Sequence, residues 1–321
     1  MRLKDIISQL NIAHEVKKYG IPLCQSPQFL FAVMGIIIIA SILVSYFLGI
    51  RYIGDPVLSI LLIFGLALIQ LVLAFFITQS FERLIEASRM KAEFVSIVSH
   101  QLRAPLTNLR WAVDFLSKGT PETQEKQESY MQIIAENTLR MHELVNDLLI
   151  VSRLEQGKLP FRRQKFSLEE LVQEVVEEFG AVLQASNIKL EIQGEEHMPH
   201  IFSDAPKIRQ IIVNFIDNAI RYIKKGSLPD GKEKNIVIRY KKTDGTVRLE
   251  VEDNGIGIPK EDQKYIFNKF FRSRNAVRHE TQGSGLGLYI AKSMIEKTKG
   301  GIGFQSEEQK GSTFWFTLPI K

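Results

Sequence analysis

The chain has 321 residues, of which 24% are charged and 45% hydrophobic, with a formal net charge of +5 at pH 7. This composition excludes an intrinsically disordered chain, and the length leaves room for about two globular units and additional segments. The small positive charge comes without a basic stripe interleaved with aromatic residues, so no nucleic-acid partner is expected. The single cysteine, Cys24, excludes an internal disulfide and a site built on several cysteines, and we expect no structural metal.

Two long apolar stretches lie near the N-terminus, at 29–50 and 57–78. Each has about 22 residues without a charged side chain and would form a helix about 33 Å long, enough to cross a bilayer. The short segment between them contains Gly54 and Pro56, which predicts a tight turn and a hairpin of two spans. The mostly polar segment 1–28 disfavours a cleavable signal peptide. Its basic residues predict that both termini are cytoplasmic, with the lipid bilayer as a partner.

The next segment, 79–157, predicts two amphipathic helices. Apolar residues recur in steps of three and four over 81–117, with Pro105 as a site for a kink. Thr120 predicts the N-cap of a second helix, which continues to about Leu154. The apolar face of this helical hairpin is wider than two helices can cover. A second copy is therefore expected to complete a four-helix bundle.

The remaining residues, 158–321, mix helical and strand patterns and predict an α/β sandwich. Ser167 followed by Glu170 has the chemistry of a capping box at the start of a helix. The turn at 243–245 lies between two alternating segments and predicts a β-hairpin. The predicted elements are a strand at 188–192, a helix at 208–224, strands at 236–240 and 247–251, a helix at 285–297 and two strands within 301–320.

One face of the predicted helix at 208–224 carries Asn214, Asn218, Arg221 and Tyr222. Carboxamide oxygens are hard ligands suited to Mg²⁺, and an arginine can pair with phosphates. The alternative is an ordinary polar face turned to solvent. This helix alone does not decide between the two interpretations.

Two glycine-rich turns follow it along the chain. The turn Asp253–Gly257 comes directly after a predicted strand, where a carboxylate can accept the exocyclic amine of adenine and glycines let a ligand approach the backbone. The loop Gly283–Leu288 opens a helix whose free N–H groups can bind phosphate. It lacks the lysine of a Walker loop and the spacing of the dinucleotide fingerprint. Either turn alone could be an ordinary loop.

The segment of about 25 residues between these turns predicts a flexible lid. Its cations would supply positive charge to a γ-phosphate, and phenylalanines surround them. The residues concerned are Lys269, Arg272 and Arg274, with Phe267, Phe270 and Phe271.

His100 lies about twenty residues beyond the second apolar stretch. A lone helical histidine is usually an ordinary surface or core residue, so its role depends on the rest of the chain. Five segments follow one another along the chain: His100 and its neighbours, the segment 214–219, the turn 253–257, the phenylalanine-rich segment and the loop 283–287. In this order, and at similar spacing, they resemble the H, N, G1, F and G2 boxes of bacterial sensor histidine kinases. The resemblance covers about residues 85–321.

This resemblance implies a multi-domain protein. The segment 1–28 and the transmembrane hairpin 29–78 would precede a signalling helix with a dimerisation and histidine-phosphotransfer domain at 79–157. A catalytic ATP-binding domain, an α/β sandwich of the GHKL ATPase (Bergerat) type, would occupy 158–321. The resemblance implies a homodimer in the bacterial inner membrane. It would use ATP and Mg²⁺ to phosphorylate its own histidine and pass the phosphoryl group to an aspartate of a separate response regulator.

The family's site residues carry over by position. His100 would be the phosphoacceptor, with Gln101 beside it in the catalytic set, and Asn218 would be the Mg²⁺ ligand. Asp253 would read the adenine, Arg221 would contact phosphate and Thr313 would line the adenine pocket. The implied nucleotide-binding residues are Asn214, Asn218, Arg221, Tyr222, Asp253, Gly255, Gly257, Ile258, Lys269, Phe270, Gly283, Gly285, Leu286, Gly287, Leu288 and Thr313.

Two positions depart from the family pattern. The family usually has an acidic residue directly after the histidine and Thr or Asn three residues further on, where this chain has Gln101 and Ala104. Gln101 can accept a hydrogen bond from the imidazole but cannot take a proton, and losing a general base typically costs about 10²- to 10⁴-fold in rate. Neutral imidazole is already nucleophilic, so kinase activity is expected to survive at a lower rate. Ala104 cannot position a hydrolytic water, which disfavours phosphatase activity.

Two other functions fit parts of the sequence. The departures at Gln101 and Ala104 suit an ATP-binding membrane scaffold that switches partners without phosphotransfer. An ATPase related to chaperones, gyrases and mismatch-repair proteins would share the sandwich, but the membrane hairpin and the segment around His100 speak against it. With so short a turn between the spans, the expected stimulus is a membrane property or a partner membrane protein. Gln70 in the second span could make an interhelical contact, and a single packing hydrogen bond explains it equally well.

Overall fold

The computed structural model describes residues 27–53, 55–118, 123–195, 197–224, 233–279 and 283–320. Contacts between Cα atoms divide the chain into two compact units, Met1–Ser99 and His100–Lys321. The predicted N-terminal segment 1–28 lies almost entirely outside the described residues.

Within the described residues, the first unit contains two helices that are long and apolar enough to cross a membrane. Helix α1 spans Pro27–Tyr52, and helix α2 begins at Pro56 and continues to Ser117. Their candidate spans are Ala32–Tyr52 and Pro56–Glu86, and only 6% of each is buried within the protein. A buried core helix of a soluble protein would be covered by other elements, and no such cover is present among the residues that the structure describes. The turn is shorter than predicted because α1 continues through Arg51 and Tyr52.

The two spans contact each other through small and polar side chains. The Gln70 side chain, predicted as an interhelical contact, donates a hydrogen bond from Nε2 to Ser41 Oγ at 2.8 Å. A Cβ on Gly49 would lie 3.3 Å from the Cβ of Ser59, so glycine allows the helices to approach closely there. Small residues and interhelical hydrogen bonds are the usual means of packing helices in lipid, where burial of apolar surface provides no driving force.

The second unit starts with a helical hairpin. The part of α2 after His100 continues through Pro105 without a break, and α3 spans Gln124–Glu155. The predicted N-cap, Thr120, lies outside the described residues; α3 begins later than expected, with Thr123 at its N-cap position. Asn108 Nδ2 donates to Asn137 Oδ1 at 3.3 Å across the hairpin. This contact fixes the register of the two helices at a half-buried position.

The rest of the second unit is an α/β sandwich with a five-stranded sheet. Its strands are β2 (Ile188–Gly194), β4 (Lys234–Thr243), β5 (Thr246–Asp253), β6 (Gly301–Glu307) and β7 (Gly311–Pro319). The strand order is β2–β4–β5–β7–β6, in which β2 and β4 are parallel and the other neighbours are antiparallel. The helices are α4 (Leu168–Ala185), α5 (Ala205–Lys224), the short α6 (Arg274–His279) and α7 (Gly287–Lys297). These elements agree closely with the predicted ones, except for α6, which was not predicted and lies in the segment expected to be a flexible lid.

The core of the sandwich lies between the sheet and its helices. Phe215 of α5 packs against Phe314 and Phe316 of β7, with ring centroids 5.6 and 6.2 Å apart. Ile212 and Ile236 are fully buried in the same layer. The burial of β7 alternates along the strand, as expected for a sheet with one covered face. This packing holds one face of α5 toward the site described below.

A second, two-stranded sheet was not predicted from the sequence. Strand β1 (Gln164–Phe166) pairs with β3 (Ile201–Ser203) in antiparallel fashion, and Asp204 follows β3 at the start of α5. Asp204 accepts hydrogen bonds from the backbone N–H of Arg162 at 2.7 Å and from Lys207 Nζ at 2.6 Å. Burial opposes ionisation, but these hydrogen bonds outweigh it and hold the pKa of Asp204 below its ordinary value. The carboxylate thus ties the linker after the hairpin to α5.

Candidate functional site

A cavity of about 1200 Å³ lies within the second unit. One part is lined by α5, the turn after β5 and the loop before α7. Another part is lined by the helical hairpin, including Gln101 and Asp147. The cavity therefore extends from the sandwich to the residue next to His100.

Helix α5 presents the predicted polar face to this cavity. Asn214, Asn218, Arg221 and Tyr222 all line it. Asn218 Nδ2 donates a hydrogen bond to Asn214 Oδ1 at 3.0 Å, which turns the carbonyl oxygen of Asn218 away from that contact. Arg221 forms an ion pair with Asp217 at 2.6 Å. The face combines an oriented carboxamide oxygen with a cation, a combination suited to a divalent metal and phosphates.

The carboxylate of Asp253 lies at the end of β5 and is only 7% exposed. Its Oδ1 accepts the backbone N–H of Gly255 at 2.8 Å. Burial raises the pKa of Asp253 to about 7, and the hydrogen bonds from the backbone of Gly255 and Ser312 offset only part of this effect. A buried carboxylate with these properties is suited to a ligand that donates a hydrogen bond, such as the exocyclic amine of adenine.

The loop Gly283–Leu288 leads into α7, whose first residue is Gly287. A Cβ at Gly287 would lie 1.9 Å from Asn214 Nδ2, so only glycine lets the asparagine of α5 approach the start of α7. Gly285 has a φ of +68°, which favours glycine. The backbone N–H of Leu286 donates to Ser284 Oγ at 3.2 Å. The loop therefore brings the predicted phosphate-binding N–H groups beside the asparagine face.

Most of the predicted nucleotide-binding residues line this same cavity. They are Asn214, Asn218, Arg221, Tyr222, Asp253, Gly257, Ile258, Gly283, Gly285, Gly287 and Leu288. Gly255, Lys269, Phe270, Leu286 and Thr313 are not among the lining residues. Gly255 and Leu286 nevertheless contribute backbone N–H groups to contacts at its edge.

Thr313 lies on the other side of β7 from the cavity. Side chains alternate along a strand, and the residues of β7 that line the cavity are Ser312 and Phe314. Ser312 Oγ lies 2.8 Å from Ser306 Oγ, and its backbone contributes to the hydrogen bonding of Asp253. The sequence did not reveal Ser312, because the motif at 311–314 identifies the strand segment but not which of the adjacent residues Ser312 and Thr313 faces the cavity.

The three cations of the predicted lid, Lys269, Arg272 and Arg274, differ in their contacts. Arg272 lines the cavity. Lys269 forms an ion pair with Glu155 at the end of α3 and lies 5.1 Å from the centre of the Tyr289 ring. Arg274 pairs with Glu261 and Asp262. In this structure, then, Arg272 is the one of these three cations that lines the cavity.

His100 is exposed on α2 and is not among the lining residues, whereas Gln101 is. Gln101 Nε2 donates to the carbonyl oxygen of Ser284 at 3.1 Å. Ser284 Oγ donates to Asp147 Oδ2 of α3 at 2.8 Å. Neither Ser284 nor Asp147 was recognised from the sequence, because nothing local to either residue signals a contact over 137 positions. The loop before α7 is thus joined to both helices of the hairpin.

The residues present fit a nucleoside triphosphate with Mg²⁺. The buried acceptor of Asp253 suits adenine, the start of α7 suits phosphates, and Asn218 in the same cavity offers a hard oxygen for the metal. Clusters of three or more His, Cys, Asp or Glu side chains that would form a metal site without a nucleotide were not found among the described residues.

Comparison with known proteins finds two family matches in this chain. Residues 90–157 match the His Kinase A (phospho-acceptor) domain, and residues 203–321 match the histidine kinase-, DNA gyrase B- and HSP90-like ATPase family. These regions correspond to the helical hairpin and most of the sandwich. The protein therefore joins a phosphoacceptor hairpin to an ATP-binding domain of this class.

Individual relatives align with about three quarters of the chain. Drug sensory protein A of Synechocystis sp. is 32% identical over 252 residues, which cover 75% of this chain and 37% of that protein. Sensor histidine kinase WalK of Bacillus subtilis is 32% identical over 241 residues, covering 72% and 37%. The solved structure of histidine kinase ThkA in complex with response regulator protein TrrA is 26% identical, with a TM-score of 0.55, and covers 75% of this chain and 64% of that one.

The chain belongs to the two-component sensor histidine kinases. It spans little more than a third of the length of these two curated relatives.

Proposed function

We propose that this protein is an ATP-dependent protein-histidine kinase that phosphorylates its own His100 and then passes the phosphoryl group to an aspartate of a separate response regulator. One observation carries the proposal: the cavity lined by Asp253 and Asn218 extends to Gln101, the residue directly after His100. A site for adenine and phosphates is thereby continuous with the helix that bears the acceptor. Support for the second step comes from ThkA, whose solved structure is a complex with a response regulator.

In this proposal each group has one task. Asp253 accepts the adenine amine, and the N–H groups at the start of α7 and Arg272 contact the phosphates. Asn218 holds Mg²⁺, which when bound neutralises phosphate charge. A neutral ring nitrogen of His100 attacks the γ-phosphorus, so that a P–N bond forms as the bond to the bridging oxygen breaks and ADP leaves. The ring proton passes to water, since Gln101 cannot take it.

The proposed assembly is a homodimer held in the bacterial inner membrane. Large apolar side chains of the hairpin remain exposed in the single chain, among them Trp111 (61%), Leu139 (60%) and Met131 (58%). A second hairpin would cover them in a four-helix bundle. The two candidate spans would place both termini in the cytoplasm and make the bilayer, or a partner membrane protein, the source of the signal.

The acid stability of the phosphorylated protein tests the proposed reaction. We expect the full-length protein, purified in lipid nanodiscs and incubated with γ-labelled ATP and Mg²⁺, to gain label that is lost in acid and retained in alkali. A P–N bond at histidine has this pattern, whereas phosphoserine and phosphothreonine esters survive acid. Acid-stable label would contradict phosphorylation of histidine. Absence of label despite measurable ATP binding would support the scaffold instead.

Replacing Gln101 by glutamate is expected to raise the initial rate of autophosphorylation at least tenfold. The carboxylate can take the imidazole proton, and a positioned general base typically contributes about 10²- to 10⁴-fold. The rate would be measured with labelled ATP at saturating concentration. Gln101→Met is the matched control, because it keeps the length of the side chain but neither donates a hydrogen bond nor accepts a proton. An equal rise in both variants would exclude the general-base explanation.

A further inference from the structure

The loop before α7 is held against the hairpin by Ser284. Its hydroxyl donates to Asp147 Oδ2 at 2.8 Å, and its carbonyl oxygen accepts from Gln101 Nε2 at 3.1 Å. These contacts join one loop residue to two different helices of the hairpin. Nearby, the ion pair between Lys269 and Glu155 joins the phenylalanine-rich segment to the same helix as Asp147. Ser284 thus attaches the loop to the hairpin through two hydrogen bonds, and a neighbouring segment is attached through an ion pair.

The same hydroxyl also occupies part of the phosphate site. Ser284 Oγ accepts the backbone N–H of Leu286 at 3.2 Å while it donates to Asp147. Leu286 is the N-cap residue of α7, so its N–H is one of the free donors that an anion at the helix start would use. While Ser284 is bound to Asp147, this donor is directed at a side chain instead of a ligand.

The charge on the hairpin side opposes phosphate in this arrangement. Asp147 is half-buried, and Glu143 lies close enough to affect it. Burial raises the pKa of Asp147 above its ordinary value, the hydrogen bond from Ser284 counteracts this, and the charge of Glu143 adds to the rise. The carboxylate of Asp147, held against the loop by Ser284, would repel the phosphates of a nucleotide bound at the start of α7.

We propose that Ser284 and Asp147 form a latch that holds the loop Gly283–Leu288 on the hairpin in the resting protein, and that this latch must open before the nucleotide phosphates receive the N–H of Leu286. Binding of the triphosphate and release of the loop are then competing events. The inference rests on the proposed binding of ATP in this cavity. Among the contacts between the hairpin and the sandwich, it assigns control of this loop to the bond between one serine and one aspartate.

The test measures the affinity of the full-length protein for the Mg²⁺ complex of a non-hydrolysable ATP analogue by calorimetry. Ser284→Ala and Asp147→Ala should each tighten binding about fivefold, the value expected when one competing hydrogen bond is lost. The double variant should gain clearly less than the product of the two single gains, because each single variant already removes the bond between Ser284 and Asp147. Hydrogen exchange of the loop 283–288 without nucleotide should become faster in each. Ser152→Ala, elsewhere on α3, should change neither quantity.

Several outcomes would overturn the latch. Unchanged or weaker binding in Ser284→Ala, with an unfolding temperature like that of the wild type, would mean that the contact supports the site instead of closing it. Additive gains in the double variant would mean that the two residues act separately. An equal gain in analogue affinity in Glu143→Ala would mean that the tighter binding comes from removing negative charge and not from opening the latch. Tighter binding without any phosphorylation would support the latch and contradict only the proposed kinase activity.

Discussion

Replacing His100 by glutamine is expected to abolish autophosphorylation and leave the affinity for MgATP within about twofold of the wild type. Glutamine keeps a polar side chain on α2 but has no nucleophilic ring nitrogen, so a P–N bond cannot form. Binding should persist because His100 is exposed and the cavity is lined by Gln101 instead. The measurements are label from γ-labelled ATP after alkaline treatment and analogue affinity by calorimetry.

His142 provides a matched control for this prediction. It is also an exposed histidine on the hairpin, on α3, and it is not among the cavity-lining residues. His142→Gln should therefore incorporate label at the wild-type rate. Label retained in His100→Gln, or lost in His142→Gln alone, would assign the acceptor role to another residue. A His100→Gln variant that binds the analogue poorly would show that His100 contributes to the site in another way.

The elements and motifs of this chain could be predicted because they have local signals. The uncharged stretches marked the two apolar helices, and regular spacing of apolar residues marked both helices of the hairpin. Alternation located β4 and β5 on either side of the turn at Asp244. Asn214 and Asn218 are four residues apart on one helix, so the sequence alone placed them on the same face. The predicted helix start at Ser167 was also correct, since the Ser167 side chain accepts the N–H of Glu170.

The remaining features depend on tertiary contacts that leave no local pattern. Strands β1 and β3 have three residues each, too few to show alternation, and they form only because distant segments meet. The place of Thr313 outside the cavity follows from the pairing of β7 with its neighbours, which a motif match does not specify. The bond between Ser284 and Asp147 joins two domains. Such contacts require the packing of the hairpin on the sandwich, which the sequence did not predict.

Replacing Asp253 by asparagine is expected to weaken nucleotide binding about 100-fold and to remove part of its dependence on pH. A charge-assisted hydrogen bond to the adenine amine is lost, and the new amide directs a donor at a donor. In the wild type, the Asp253 carboxylate must be ionised to accept the hydrogen bond from the adenine amine at full strength. Because burial raises its pKa to about 7, ionisation is nearly complete at pH 8 and small at pH 6.

The sign of the pH effect follows from this raised pKa. Acidification protonates Asp253, so the affinity of the wild type for MgADP should fall about tenfold between pH 8 and pH 6 through this group. Titration of the nucleotide phosphates adds a further change that is common to all variants. The difference between the wild type and Asp253→Asn, measured by calorimetry at both pH values, therefore isolates the contribution of Asp253.

Glu250→Gln is a suitable control because Glu250 lies on the same strand, forms an ion pair with Arg248 and is not among the cavity-lining residues. It should keep the wild-type affinity and pH profile. Comparable unfolding temperatures for all three proteins would exclude loss of the fold as the cause of weak binding. Equal pH dependence in wild type and Asp253→Asn would mean that Asp253 is already ionised when the nucleotide arrives. In that case the adenine amine would be recognised without an uptake or release of protons at this carboxylate.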